Sequence, residues 1–195
     1  MAPTTQALTA ERILEATEEV LRRHGPAKAT VVDVARALGV SHGTVYRHFR
    51  TKAALREAVT KRWLDRTSER LSRFTAEDRD PEARLRAWLA GLFEAKRRKA
   101  GDDPDMFAAY MVLVTEAGEV VDEHLDELTG QLTAIIGAGI ESGVFTATDP
   151  AVAARAVFQA ANRFHDPSYA REWRKPGADA DFAALVELLV RGLRN

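Results

Sequence analysis

GVSHGTVYRHFRTK, residues 39–52, sets His42, Arg47, His48, Arg50 and Lys52 around Tyr46 and Phe49 with no Asp or Glu among them. The stretch before it, residues 30–38, reads TVVDVARAL, and its apolar positions 31, 34, 35 and 38 share one helical face. Thr30 followed three residues later by Asp33 is a capping-box pair, which starts a helix at Val31. Gly39 can take the positive φ of a tight turn, so Gly39-Val40-Ser41 links that helix to a second one over residues 42–48. Helix, three-residue turn and short helix make the spacing of a helix-turn-helix. Ala35 is small where the two helices approach. Val45 then faces Val34 and Leu38, and Ile13 and Val20 of a preceding helix close the small core. The outward face is left with His42, Gly43, Thr44, Arg47 and His48.

That basic face is local. The whole chain of 195 residues carries 28 Lys and Arg against 29 Asp and Glu, a net charge of −1. Residues 1–52 hold 8 of the basic and 5 of the acidic groups, while residues 53–195 hold the other 20 and 24. A basic head on an acidic body suggests that only the head meets a polyanion. With 46% hydrophobic residues the chain can bury a real core, and without cysteine it has neither disulfides nor thiolate chemistry. The longest apolar run, residues 106–114, is too short to span a bilayer. Residues 1–24 carry Glu11, Arg12, Glu15, Glu18 and Glu19 where a signal peptide needs apolar residues, so the cytoplasm is the expected location and no membrane partner is expected.

Outward from the helix-turn-helix the periodicity is helical throughout, with no internal repeat. Asp-Pro at 80–81, 103–104 and 149–150 precedes an apolar-periodic segment each time. Asp caps the first turn, and Pro follows where its missing N–H is no loss. The pattern predicts an all-α protein of about nine helices: 10–23 (ended by Gly25-Pro26), 31–38, 42–48, 52–74, 81–99, 104–117 (closed by Gly118), 119–142, 150–164 and 179–193. A short helical turn is possible over 168–174. Residues 1–52 form the expected DNA-binding domain and residues 53–195 a helical body. The polar loop 75–80 is no linker, because the fourth helix runs from head to body.

The run GVSHGTVYRHFRTKAAL, with ATVVDVARALG before it, resembles the DNA-binding domain of the tetracycline-repressor (TetR) family of bacterial regulators over roughly residues 10–58. The matching elements are Gly39-Val40-Ser41, Thr44-Val45-Tyr46, His48-Phe49, and Lys52 with Leu55. The resemblance implies a nine-helix homodimeric repressor whose body binds a small effector. Val31 and Val32 depart from it, standing where members often carry polar groups. The expected DNA-binding residues are Thr30, Ser41, His42, Gly43, Thr44, Tyr46, Arg47, His48 and Lys52. His42 is placed for a base edge, and Thr44 offers a methyl to thymine and a hydroxyl to phosphate. Gly43 permits close approach. Tyr46 and His48 reach phosphate oxygens. Lys52 opposes the dipole of the helix it begins, which suits a cation kept for a phosphate. Structural roles stay open beside these: Phe49 as core, Tyr46 as core, and Arg47 and His48 as solvated surface.

In the body, the helix over 81–99 presents Leu85, Trp88, Leu89, Leu92 and Phe93 at helical spacing. The next presents Met106, Phe107, Tyr110, Met111 and Val114, and the one after it Val121, Leu125, Leu128, Leu132 and Ile136. These stripes are mostly core, but ligand sites in bundles lie between helices and mix aromatic with a few polar groups. The expected pocket residues are Trp63, Trp88, Phe107, Tyr110, Met111, Thr115, Phe158 and Asn162. The alanine-rich helix over 150–164 and the Leu- and Val-rich helix over 179–193, with Leu185, Leu188, Leu189 and Leu193, suit either internal packing or a two-fold four-helix interface. The dimer is preferred, because a seven-residue recognition helix reads too few base pairs alone. Its DNA partner is then an inverted repeat in duplex DNA.

No metal, cofactor or catalytic machinery is expected. Asp122, Glu123, His124, Asp126 and Glu127 read as a solvated face, and there is no phosphate-binding loop or serine nucleophile elbow. The sequence therefore points to a ligand-responsive repressor rather than an enzyme. An all-helical small-molecule-binding protein or enzyme with a vestigial head is the alternative, distinguishable by turnover without DNA affinity. A protein–protein adaptor is a third reading.

Overall fold

A computed structural model describes residues 8–76 and 79–194. Residues 77–78 of the expected loop and residues 1–7 of the expected DNA-binding domain lie outside the described residues. Among the described residues there are nine α-helices, two short 3-10 turns and no strand.

The helices are α1 (Ala10–Lys28), α2 (Val31–Leu38), α3 (His42–His48), α4 (Lys52–Ala76), α5 (Pro81–Asp102), α6 (Pro104–Glu116), α7 (Gly118–Glu141), α8 (Pro150–Ala160) and α9 (Ala178–Arg194). The three Asp-Pro starts hold: Asp80 accepts from Ala83 N at 3.1 Å, Asp103 from Met106 N at 3.1 Å, and Asp149 from Ala151 N at 2.8 Å. Several boundaries differ from the sequence expectation, α5 running on to Asp102 rather than ending at 99, and three of them change the reading. Gly25 leaves helical geometry at φ 71° and ψ 165°, but Pro26 begins a further turn that carries α1 on to Lys28. Gly118 does not close α6; the break falls at Ala117, and Gly118 opens α7. The helix expected to run to Phe164 stops at Ala160 and tightens into a 3-10 turn over Asn162–Phe164, with Phe164 N donating to Ala161 O at 2.8 Å.

Two compact units emerge. The first comprises the described residues up to Trp63 together with Asp103–Val121. Ile13, Val20, Val34, Ala35, Val45, Leu55, Val59, Met106 and Leu113 form its buried interior. Trp63 stacks on Tyr110 with centroids 4.1 Å apart, and the Tyr110 hydroxyl donates to Val59 O at 3.3 Å. Arg62 fans across Glu11, Glu15 and Glu18 of α1. The two ends of α6 are pinned by charge: Arg22 reaches Asp103 at 2.7 Å and Arg56 reaches Glu116 at 3.0 Å.

The second unit comprises Leu64–Asp102 together with the described residues from Asp122 onward. Its main core gathers Leu71, Phe74, Leu85, Trp88, Leu92, Leu128, Leu132, Ile135, Ile136, Phe145, Val157 and Val190. Gly139 is required there, because a Cβ would overlap the Phe145 ring. Phe93, Phe164 and Trp173 make a smaller aromatic cluster. Trp88 Nε1 donates to Gln131 Oε1 at 2.9 Å, and Gln131 Nε2 donates to Ser68 O at 3.0 Å. The buried line of α7 differs from the expected stripe. Val120, His124, Leu128, Gln131, Leu132 and Ile135 face inward, whereas Leu125 is exposed. His124 and Gln131 are polar residues at core positions, so a stripe counted on apolar letters alone drifts off the face. Asp122, Glu123, Asp126 and Glu127 do lie at the surface. No helix among the described residues is long and apolar enough to cross a membrane.

Candidate nucleic-acid interface

The helix-turn-helix is assembled by short-range hydrogen bonds. Thr30 Oγ1 accepts from Asp33 N at 3.2 Å, the Asp33 carboxylate accepts from Thr30 N at 3.2 Å, and the Thr30 hydroxyl donates to Asp33 Oδ2 at 2.6 Å. That hydroxyl holds the Asp33 carboxyl below its ordinary pKa despite slight burial. Gly39 stops α2 in the left-handed region at φ 67°, and Val40 N returns to Ala35 O at 3.0 Å. Ser41 then caps α3, its Oγ accepting from Thr44 N at 3.3 Å. Thr51 caps α4, its Oγ1 accepting from Ala54 N at 3.0 Å. Each cap fixes the direction of one helix start.

Val45 alone in α3 is fully buried; His42, Gly43, Tyr46, Arg47 and His48 are exposed and Thr44 is half-buried. The outer surface is thus continuous along the helix. Tyr46 stands edge-on to His42, with ring centroids 6.3 Å apart, so the two aromatic groups form one projecting wall. The Thr44 hydroxyl is already engaged, lying 3.0 Å from Ser41 Oγ and 3.4 Å from Arg47 Nη2. Its methyl remains the group it can offer outward. Phe49 is half-buried and ends the helix, donating its N–H to Val45 O at 3.0 Å.

Lys52 is exposed at the first position of α4 and shares a small cleft with Thr30, Val31 and Val34. The starts of α2 and α4 are therefore neighbours, with a cation between them. Backbone N–H groups of two first turns and one ammonium are the elements of a phosphate site. Val31 is buried and Val32 exposed, so the start of α2 presents methyl groups where a hydrogen-bonding side chain would read a base.

The residues expected to line a pocket are divided between the two units. Trp63, Phe107, Tyr110, Met111 and Thr115 belong to the first unit, and Trp88, Phe158 and Asn162 to the second. Trp88 is core, committed to Gln131, and Thr115 is exposed, with its hydroxyl on Val112 O at 2.6 Å. Phe158 and Asn162 do line one groove of about 450 Å³ with Leu125, Thr129 and Arg155. Sequence reasoning missed a buried charged group in the same unit. Lys96, buried on α5, feels the charge of Asp166, and His165 stacks on Phe158 at 4.2 Å with Nε2 3.0 Å from Phe158 O. The signal was available: Lys96 continues the stripe Leu85, Leu89, Leu92, Phe93, where a charge is out of place.

Two family models match the chain: the bacterial regulatory proteins of the tetR family over residues 13–59, and the tetracyclin repressor-like C-terminal domain over residues 81–186. Among curated relatives, the nucleoid occlusion factor SlmA of Vibrio atlanticus is 30% identical over 102 residues, covering 52% of each chain. The transcriptional regulator TtgR of Pseudomonas putida is 36% identical over 87 residues, covering 44% of this chain and 41% of the relative. The chain thus spans about half the length of the curated relatives it matches. The crystal structure of the regulator FadR from Bacillus subtilis in complex with stearoyl-CoA shares the fold, with a TM-score of 0.66 at 22% identity over 94% of this chain and 99% of that one.

Proposed function

The chain belongs to the TetR family of bacterial regulatory proteins, and from that premise we propose that it is a dimeric, ligand-responsive transcriptional repressor of the cytoplasm. It acts by binding and not by catalysis. DNA contact is carried by residues 1–52, effector binding and dimerisation by residues 53–195. The observation that supports this best is α3, whose Val45 is buried while His42, Gly43, Tyr46, Arg47 and His48 form one exposed basic and aromatic face. Such a helix enters a major groove with its first residues at the base edges. His42 and the Thr44 methyl read bases; Tyr46, Arg47, His48 and Lys52 contact the backbone. Thr30 and Ser41 orient the helix starts whose N–H groups meet phosphate.

The dimer forms through α8 and α9. Leu188 is 67% exposed and Val152 52% exposed, among exposed Ala156, Ala160, Ala184 and Gly192. Small residues around two large apolar ones suit close helix packing against a symmetry copy. Leu193 is buried and Leu189 half-buried against the core, so Leu188 is the anchor of that face. A two-fold dimer sets two α3 helices about 34 Å apart on an inverted repeat. The stearoyl-CoA held by the Bacillus relative supports a small-molecule effector, which shifts the dimer only through unequal affinity for its DNA-competent and incompetent states.

Selection from a random duplex pool with the full chain tests the reading. The expected product is an inverted repeat bound with a steep salt dependence. Recovery of no enriched sequence, or of binding indifferent to salt, would overturn it.

A further inference from the structure

Val32 stands in the open at the second position of α2. At 52% exposure it is the most exposed large apolar side chain among the described residues of the first unit. Val31, Val34 and Ala35 take the buried face of α2, and Asp33 pairs with the exposed Arg36 at 2.9 Å. An exposed first turn is better served by a carboxylate, which complements the macrodipole, than by a β-branched chain that loses rotamer freedom in a helix. Helix formation does not call for valine here.

The place of this side chain is nonetheless fixed. The reciprocal bonds of Thr30 and Asp33 hold the first turn on both sides of it. Helical side chains tilt towards the N-terminus of their helix, so the Val32 methyls overhang the start of α2. That end of α2 borders the cleft shared by Thr30, Val31 and Lys52. A phosphate held by Lys52 and by the free N–H groups of α2 and α4 brings its own strand to this end of the helix. The C5-methyl of thymine is an apolar group in the major groove, on the side of the base nearest its own backbone. Thr44 adds an independent observation. Its hydroxyl lies 3.0 Å from Ser41 Oγ and 3.4 Å from Arg47 Nη2, which leaves its methyl as the group to offer. Each of α2 and α3 thus presents a methyl-bearing side chain with no uncommitted hydrogen-bonding atom.

We propose that Val32 reads DNA sequence, its isopropyl group packing on the C5-methyl of one thymine in each half-site. That thymine lies on the strand whose phosphate Lys52 holds, and it is distinct from the one met by Thr44. This rests on the DNA-binding reading above and extends base readout from α3 to α2.

The experiment titrates the full chain with its selected operator and with operators carrying deoxyuridine for thymine, one step at a time in both half-sites. Deoxyuridine keeps every hydrogen-bonding group and removes only the methyl. Burial of one methyl is worth about fourfold in affinity, so a symmetric replacement at the Val32 step should weaken the wild type about fifteenfold. Val32→Ala should bind the two operators within about twofold of each other at that step, and Val32→Ile should keep the wild-type difference. The thymine met by Thr44 should keep its penalty in Val32→Ala and lose it in Thr44→Ser, which retains the hydroxyl. At the Val32 step, 5-methylcytosine should bind tighter than cytosine in the wild type and equally in Val32→Ala. If every thymine whose replacement weakens the wild type weakens Val32→Ala as much, the proposal is overturned, since an effect of duplex shape survives the substitution. Recovery of no operator overturns the repressor reading and this proposal with it, whereas an operator without a Val32-dependent thymine overturns this proposal alone.

Discussion

In the first unit Thr30, Ser41 and Thr51 each satisfy an N–H three residues along the chain; in the second, Trp88 bonds to Gln131, 43 residues on, and Gln131 to Ser68, 63 residues back. The first arrangement keeps polar groups at the surface, where a polyanion can reach them. The second buries them, where each must find a partner that only the folded unit provides. Local hydrogen bonding builds a presenting surface, and long-range hydrogen bonding builds a core with chemistry inside it.

The sharpest way to break this contrast is at Trp88. Trp88→Ala removes a fully buried ring and its bond to Gln131, and is expected to cost about 3–5 kcal/mol in chemical denaturation. Trp88→Phe keeps most of the ring but leaves Gln131 Oε1 without its donor, at about 1–3 kcal/mol. If Trp88→Phe proves neutral, the buried polar pair contributes nothing that packing does not.

The next largest effect is expected at Leu188. Leu188→Glu places a charge on the most exposed apolar position of α9 and should yield a monomer of unchanged helical content. Loss of simultaneous half-site contact then lowers operator affinity on the order of a hundredfold or more. Sedimentation together with operator titration checks both parts, and a dimeric Leu188→Glu would move the interface elsewhere.

Within the first unit the contrast is finer. His42→Ala should change which base is preferred at one position, by about 1–3 kcal/mol, without altering salt dependence. Lys52→Ala should weaken all sequences alike and flatten the log–log salt slope by about one unit. Exchange of these two signatures would reverse the assignment of base and backbone contacts. Smallest is Thr30→Ala, which removes a cap at about 1 kcal/mol of stability. Asp33 supplies the sign of its pH dependence. Because Thr30 lowers the folded-state pKa of Asp33, the stabilisation is full above its ordinary value of 3.8 and is lost as pH falls through the folded value. The difference between wild type and Thr30→Ala should therefore shrink in acid, which thermal melts from pH 6 to pH 2 measure.

The same contrast explains what the sequence disclosed. The capping box at Thr30, the turn at Gly39 and the buried Val45 are written within twenty residues, so spacing alone places them. The Asp-Pro helix starts are as local. Gln131 is buried because its partners, Trp88 and Ser68, lie on other helices, while the expected α7 stripe keeps Leu128, Leu132 and Ile136 in the core and loses Leu125 to the surface. Aromatic residues line cores and ligand sites alike, and the expected pocket residues, aromatic and polar, fall in two units.

The first unit is also interrupted: the chain leaves it at Trp63 and returns at Asp103, whose Oδ1 caps α6 while Oδ2 takes Arg22 of α1. A ribosome that has released only the first four helices has made a head missing one wall, with no Tyr110 under Trp63 and no carboxylate for Arg22. Completion waits on the synthesis of some forty intervening residues, so the head matures late although it is translated first. Anyone grafting this head onto a different sensor body must carry α6 along with it.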